Sequence, residues 1–133
     1  MAKFAGLAMS MTLDDSGGSS ATNISNDVAS ITLSDTRGEQ DITGIDKSAM
    51  ERLQLLADTD ITLTGNGWPS SATLAVIATN MSAARTLVLN WPDSGTYTVE
   101  VMIFSFGPTR GADGGITWTA NLKLSNGTAG AWS

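Results

Sequence analysis

Thr96-Tyr97-Thr98-Val99-Glu100-Val101-Met102-Ile103-Phe104-Ser105-Phe106 is the stretch on which the fold turns. Tyr97, Val99, Val101 and Ile103 occupy every second position, the period of a strand with one buried face. The positions between them begin polar, with Thr98 and Glu100, and then become Met102, Phe104 and Phe106. One end of this strand is apolar on both sides. A strand in a lone two-layer domain keeps one face wet, so that end needs a cover: a helix, a loop or another copy of the chain. The residues alone leave all three open.

Working outward, the glycine-rich turn Gly107 to Gly115 leads to Ile116, Trp118, Ala120, Leu122 and Leu124, which alternate with polar residues as a closing strand. Upstream, Leu87, Leu89 and Trp91 share a face, and Asp93-Ser94-Gly95 turns the chain into Tyr97, a hairpin signature. Leu7, Met9, Met11 and Leu13 predict a first strand, Val28 to Leu33 a second, and Ile61 with Leu63 another that Gly65-Asn66-Gly67 breaks. Between strands the period changes. From Asp46 to Ala57 it lengthens to about 3.6, Ala49, Leu53, Leu56 and Ala57 form an apolar stripe, and Ser48 with Glu51 spells a capping box. This predicts the principal helix, whereas Thr73 to Thr79 fits either a strand, through Val76, Ile77 and its threonines, or a short helical turn capped by Ser70 or Ser71, the turn being preferred. Asp14 to Asp27 is turn-forming throughout, with Ile24 its one large apolar residue. Loops of that length are functional or disordered, and both readings stand.

The expected fold is therefore mainly β, a sandwich or barrel of six or seven strands with one flanking α-helix, forming a single domain over residues 1–133. A chain of 133 residues holds one core without disulfides or metal. No apolar run approaches the roughly 20 residues that span a bilayer, so a soluble chain without a membrane partner is expected. Its start lacks the charged region and apolar block of a secretory signal, so synthesis in a cytoplasm is expected.

Absent residue types restrict function. The chain has no Cys and no His, so thiolate nucleophiles, thiolate zinc sites and imidazole catalysis are excluded. Asp14-Asp15 and Asp58-Thr59-Asp60 are the only close carboxylate groupings, and neither carries the rest of a calcium-loop pattern; they read as solvated acids, with no metal and no cofactor expected. Gly65-Asn66-Gly67 and the glycines at 111–115 lack the remainder of nucleotide-binding fingerprints and read as turns. A formal charge of −6 disfavours tight binding of a phosphate backbone. Trp91 and Trp118 lie on apolar strand faces, whereas Trp68 and Trp132 are candidates for exposed anchors. What remains is a non-enzymatic building block.

Asn23-Ile24-Ser25-Asn26-Asp27-Val28, the run Asp41-Ile42-Thr43-Gly44-Ile45-Asp46-Lys47-Ser48-Ala49-Met50-Glu51-Arg52-Leu53 and the segment from Thr109 to Trp118 resemble the major tail (tail tube) proteins of long-tailed bacteriophages. That resemblance implies six copies joined into a ring, rings stacked into a tube, and an inner wall that is one β-barrel built from every copy. It implies a virion component assembled in the host cytoplasm, with tape measure, tail terminator and distal tail proteins as partners and with DNA passing through unbound. It further implies an extended loop that reaches a neighbouring ring.

Here Asp14, Asp15, Ile24, Asn26 and Asp27 are the candidate loop contacts; Phe104, Phe106 and Trp132 are candidate subunit contacts from the two-sided strand end and the aromatic terminus. Glu100, on the polar half of its strand, is the candidate lumen residue. Six copies at −6 each would place −36 on a ring, which would repel a polyanion in transit. Two other readings fit the residues: another virion component, such as a head-decoration or tail-end protein, and a sugar-binding or adhesive β-sandwich using Trp68 or Trp132.

Overall fold

The computed structural model describes residues 9–14, 21–79, 81–92, 95–125 and 127–133. Its elements are β1 (Ser10–Asp14), β2 (Ala21–Asn23), β3 (Ser30–Asp41), β4 (Arg52–Asn66), α1 (Ser71–Ile77), β5 (Arg85–Asn90), β6 (Thr96–Arg110), β7 (Ile116–Leu124) and β8 (Ala131–Trp132). All eight strands form one sheet in the order β2-β1-β5-β6-β7-β4-β3, with β8 on β6. Every pairing is antiparallel.

Alternating apolar residues meet their counterparts across each ladder. Met11 lies opposite Leu89 and Leu13 opposite Leu87, and these in turn oppose Tyr97 and Val99 of β6. On the other side Leu33, Ile61, Leu122 and Ile103 form one continuous row across β3, β4, β7 and β6. Such facing pairs are the unit of sheet stabilisation, each worth about 0.2–1 kcal/mol beyond alanine. The sheet folds over so that both rows close on one core, which also takes in Ile24, Val76 and Ile77. Inside it the Tyr97 hydroxyl and Thr59 Oγ1 are 3.1 Å apart in a buried hydrogen bond. Burial raises the Tyr97 pKa, partly opposed by that bond.

β6 is the strand common to both halves. Thr96 to Val101 pair with β5, and Val101 to Arg110 pair with β7. Its register slips between Ile103 and Ser105, leaving Phe104 as the extra residue of a β-bulge. The slip reverses the faces that follow, so Phe106 comes opposite Ala120 and packs on the core with its ring 5.7 Å from Trp118. The two-sided apolar strand end is resolved largely within the chain: Phe106 is turned inward, and Phe104 remains 56% exposed.

The helix expected over Asp46 to Ala57 is absent. Arg52 onward is strand, paired with Asp41 and its neighbours, and the helix of the molecule is α1 at the weaker site, with Ser70 as its cap. Two features displaced the helical reading. The backbone of β4 is paired along the whole of β3, a ladder that outweighs the helix propensity of Leu, Gln and Ala. A register slip opposite Gly38 also interrupts the two-residue period at Leu55 and Leu56, leaving a spacing that resembles a helical stripe. Glu51 makes no capping box: its backbone N–H donates to Thr43 Oγ1 at 2.8 Å.

Eight strands are present where six or seven were expected, because β2 forms inside the predicted loop and β8 at the terminus. Leu7, residues 15–20 and most of the Asp93-Ser94-Gly95 turn fall outside the described residues.

Gly65 lies opposite Trp118, and a Cβ there would stand 2.2 Å from the indole and 2.4 Å from the Asp27 carbonyl oxygen. Gly65→Ala should therefore lower stability in urea titration by about 1–3 kcal/mol or more through overpacking. Gly107→Ala, with nothing within 4 Å of its Cβ, should change it by no more than about 0.5 kcal/mol.

Candidate assembly surfaces

β6, β7, β4 and β3 build a four-stranded block with two open margins. Phe104 to Arg110 pair only with β7, and β3 pairs only with β4 among the described strands. Three successive antiparallel steps separate the two margins, so β3 and β6 run in opposite directions. An open edge is a template for strand addition from another chain, and these two edges are mutually compatible as an antiparallel pair.

Apart from Met102 and Phe104 of β6, the face of this block turned away from the core is small and polar. Thr32 and Ser34 of β3, Thr62 and Thr64 of β4, Thr117, Thr119 and Asn121 of β7 and Ser105 and Thr109 of β6 alternate with the core residues. Asn121 Nδ2 donates to Asp60 Oδ1 at 2.8 Å and reaches Thr62 Oγ1 at 3.4 Å, tying adjacent strands together. Asp58 and Asp60 give this face two carboxylates. Lys123, directly opposite Asp60, has its ammonium 5.8 Å from the centre of the Phe104 ring.

Beyond this block the β3–β4 hairpin continues as an arm. From Ser34 to Asp41 and from Arg52 to Leu56 every residue is exposed, and the arm carries Leu53, Leu55 and Leu56 outward, Leu56 at 90% exposure. Ile42, Ile45 and Met50 of its tip are exposed as well. A polar knot closes the tip: Asp41 Oδ1 accepts from Thr43 N at 2.9 Å and from Thr43 Oγ1 at 2.6 Å. These bonds, the hydroxyl first, hold the Asp41 carboxyl below its ordinary pKa. A two-stranded ribbon is marginal alone in water, and this arm leaves its apolar surface uncovered by the described residues.

The residues singled out from sequence are dispersed. Asp14 ends β1 opposite Ala21, and Asp15 lies outside the described residues. Ile24 is sealed in the chain's own core, with no exposed surface to offer a neighbour. Asn26 sits in the turn after β2. Asp27 is engaged internally: Ser70 Oγ donates to its Oδ2 at 2.9 Å and Thr73 Oγ1 donates to the same oxygen, clamping the connector to the first turn of α1. Phe106 is half-buried inside the chain, while Phe104 stands at the open β6 margin.

Trp132 is exposed on one side and on the other meets Tyr97 at 4.7 Å and Trp91 at 6.2 Å. Glu100 is on the β5 half of β6, where its carboxylate accepts from Thr86 Oγ1; it is not part of the four-stranded block. Sequence reasoning passed over Asp58 and Asp60 as solvated acids. Their alternation with Thr59 and Ile61 was the available signal that they share a face with Thr62.

Among the described residues no group of three or more acidic side chains is placed to hold a metal ion, and no helix is long and apolar enough to cross a membrane. No family model and no curated protein matches the chain. Solved structures do. A chain from the virion of a native gene transfer agent particle superposes with a TM-score of 0.79 at 14% identity, covering 98% of this chain and 99% of that one. A chain from the tail of an empty gene transfer agent particle, described with C6 symmetry, gives 0.77 at 16% identity over 98% of both. A chain from the baseplate of the anti-feeding prophage gives 0.74 at 11% identity, over 100% of this chain and 97% of that one. Over essentially its whole length the protein shares the fold of these virion, tail and baseplate chains.

The Asp27 clamp predicts a pH dependence. Its carboxyl is held below the ordinary 3.8, first by Thr73 and then by Ser70, so the clamp stabilises fully above that value and is lost as pH falls through the lower native pKa. Asp27→Asn should lower the melting temperature at pH 6, and the gap between variant and wild type should shrink below pH 3 in thermal scans followed by circular dichroism.

Proposed function

We propose that the protein is a structural, non-enzymatic subunit of a phage-like tail tube, in which β3 of each copy pairs with the outer half of β6 of the next. The observation that carries this reading is the block with two open, oppositely directed margins. Because the block has an even number of strands, repeating it around an axis gives an all-antiparallel closed barrel with no free edge left. Six copies, the number suggested by the six-fold symmetry of the gene transfer agent tail and the anti-feeding prophage baseplate, would close a barrel about 48 Å across at the backbone. Such a barrel is wide enough for duplex DNA.

The polar outer face of the block would then line the lumen, and Asp58 and Asp60, rather than Glu100, are the wall acids. Small hydroxyl and amide groups, with Asp58 and Asp60 outnumbering the one lysine, Lys123, opposite Asp60, leave this face net negative, which disfavours capture of a phosphate backbone, so DNA passes without sticking. The exposed arm, with Leu53, Leu55 and Leu56, replaces Asp14 to Asp27 as the segment that reaches an adjacent ring. Head-to-tail contact of this kind is heterologous and extends a stack indefinitely, which is how a tube grows and why other tail proteins would be needed to end it.

Electron microscopy of the purified chain at high concentration should show rings or tubes with a central hole; a monodisperse monomer that also fails to enter virions would overturn the reading. Exchanging Asp58 and Asp60 for Lys should leave rings intact and slow DNA release from assembled particles several-fold at low salt, with recovery as salt is raised. Unchanged release would place these carboxylates away from the wall.

A further inference from the structure

β7 ends at Leu124 opposite Val101, so the remaining upper edge of β6 loses its neighbour there. The C-terminus fills the vacancy. Ala131 and Trp132 take up register with Thr98 and Tyr97, Thr96 N donates to Ser133 O at 3.0 Å and Ser133 N donates to Thr96 O at 2.8 Å. Gly130 lies directly on Tyr97, where a Cβ would come within 2.0 Å of the phenolic oxygen, so this segment is also the lid over the buried Tyr97–Thr59 bond. Trp132 completes the seat against Tyr97 and Trp91.

The seat is specific, and the connector that delivers it is tied to β6 at its start, where Ser125 N donates to Glu100 O at 3.2 Å, and is exposed at residues 127–129. Gly127, Thr128 and Ala129 border two grooves, one lined also by Arg37, Leu55, Leu56 and Ala57 and the other by Thr86, Thr98 and Glu100. Gly127, at φ +76°, and Gly130 interrupt the connector. Its six residues, extended, span roughly 20 Å, enough to carry β8 across to an adjoining molecule.

We propose that β8 is an exchangeable strand: in the assembled particle it leaves its own β6 and occupies the Thr96–Thr98 edge of a second copy of this chain. The same backbone bonds, the same Gly130 contact with Tyr97 and the same Trp132 seat are made whichever copy supplies the strand. Exchange of an identical element therefore costs little, and it links neighbours through chain connectivity in addition to surface contact. The proposal rests on the ring reading for the presence of adjoining copies, and it adds a partner for β8, which lies outside the block.

The absence of native Cys makes the test direct. Chains carrying Thr98→Cys and Ala131→Cys together are assembled first and then oxidised, and a second sample mixes chains that carry one substitution each. Exchange predicts a ladder of covalently joined chains on a non-reducing gel for the first sample and a covalent dimer for the second, with monomer alone when the double variant is oxidised before assembly in dilute solution. Internally linked monomer from assembled double variant, with no dimer in the mixture, overturns the proposal. The pair Thr96→Cys and Ser133→Cys repeats the test at an adjacent position should the first pair misfold. Micrographs of the same samples separate the two readings: rings without interchain bonds retain the tube and remove exchange, whereas interchain bonds without rings retain exchange and remove the tube.

Discussion

The fold depends on one strand serving two layers. β6 begins against β5 and ends against β7, and the register slip at Phe104 lets it do both. A regular strand would carry Phe106 to the outside with Phe104 and leave two aromatic rings in water. With one extra residue accommodated at Phe104, Phe106 enters the core beside Trp118 and the second half of the strand points its core face the other way. The features at the β6 end of the block follow from that slip. The open β6 margin starts there, the polar face of the block is defined by it, and Lys123 finds Phe104 because the bulge leaves the ring outside.

A second constraint is parity. Four antiparallel strands present margins that run in opposite directions, so identical copies can continue the pattern without a parallel junction. The block is polar on the face that repetition would enclose and apolar on the face that each copy covers with its own second layer. The molecule is stable in itself because its core is complete, yet it ends in strand edges and in an arm of exposed leucines. At 11–16% identity, the likeness to chains of virion, tail and baseplate particles extends over nearly the full length of the fold.

The alternation of Leu and Met before Asp14, of Tyr97 to Ile103, and of Ile116 to Leu124 was legible because a half-buried strand imposes a period of two on its own residues. Burial of Trp118 and exposure of Trp68 and Trp132 followed from the same patterns. The arm was misread for a physical reason. Helix propensity and capping are local, and Asp46 to Ala57 satisfied both, but the backbone of Arg52 to Ala57 had a better partner in Arg37 to Asp41, several turns of chain away. The candidate contacts at Ile24 and Asp27 are engaged within the chain for a related reason, Ile24 fully buried and Asp27 partly exposed. Both lie in a polar segment, yet one fills the core and the other clamps α1 across more than forty residues of sequence.

What the amino-acid order determined by itself was the alternating, half-buried part of six strands, the single core and the missing residue types, since periodicity and residue type act over a few neighbours or not at all. Which edges stay open, where β6 changes layer, and whether Glu100 or Asp60 shares the face of Thr62 were decided only in three dimensions. Those properties belong to register between distant strands, and a slip of one residue inverts every face that follows it.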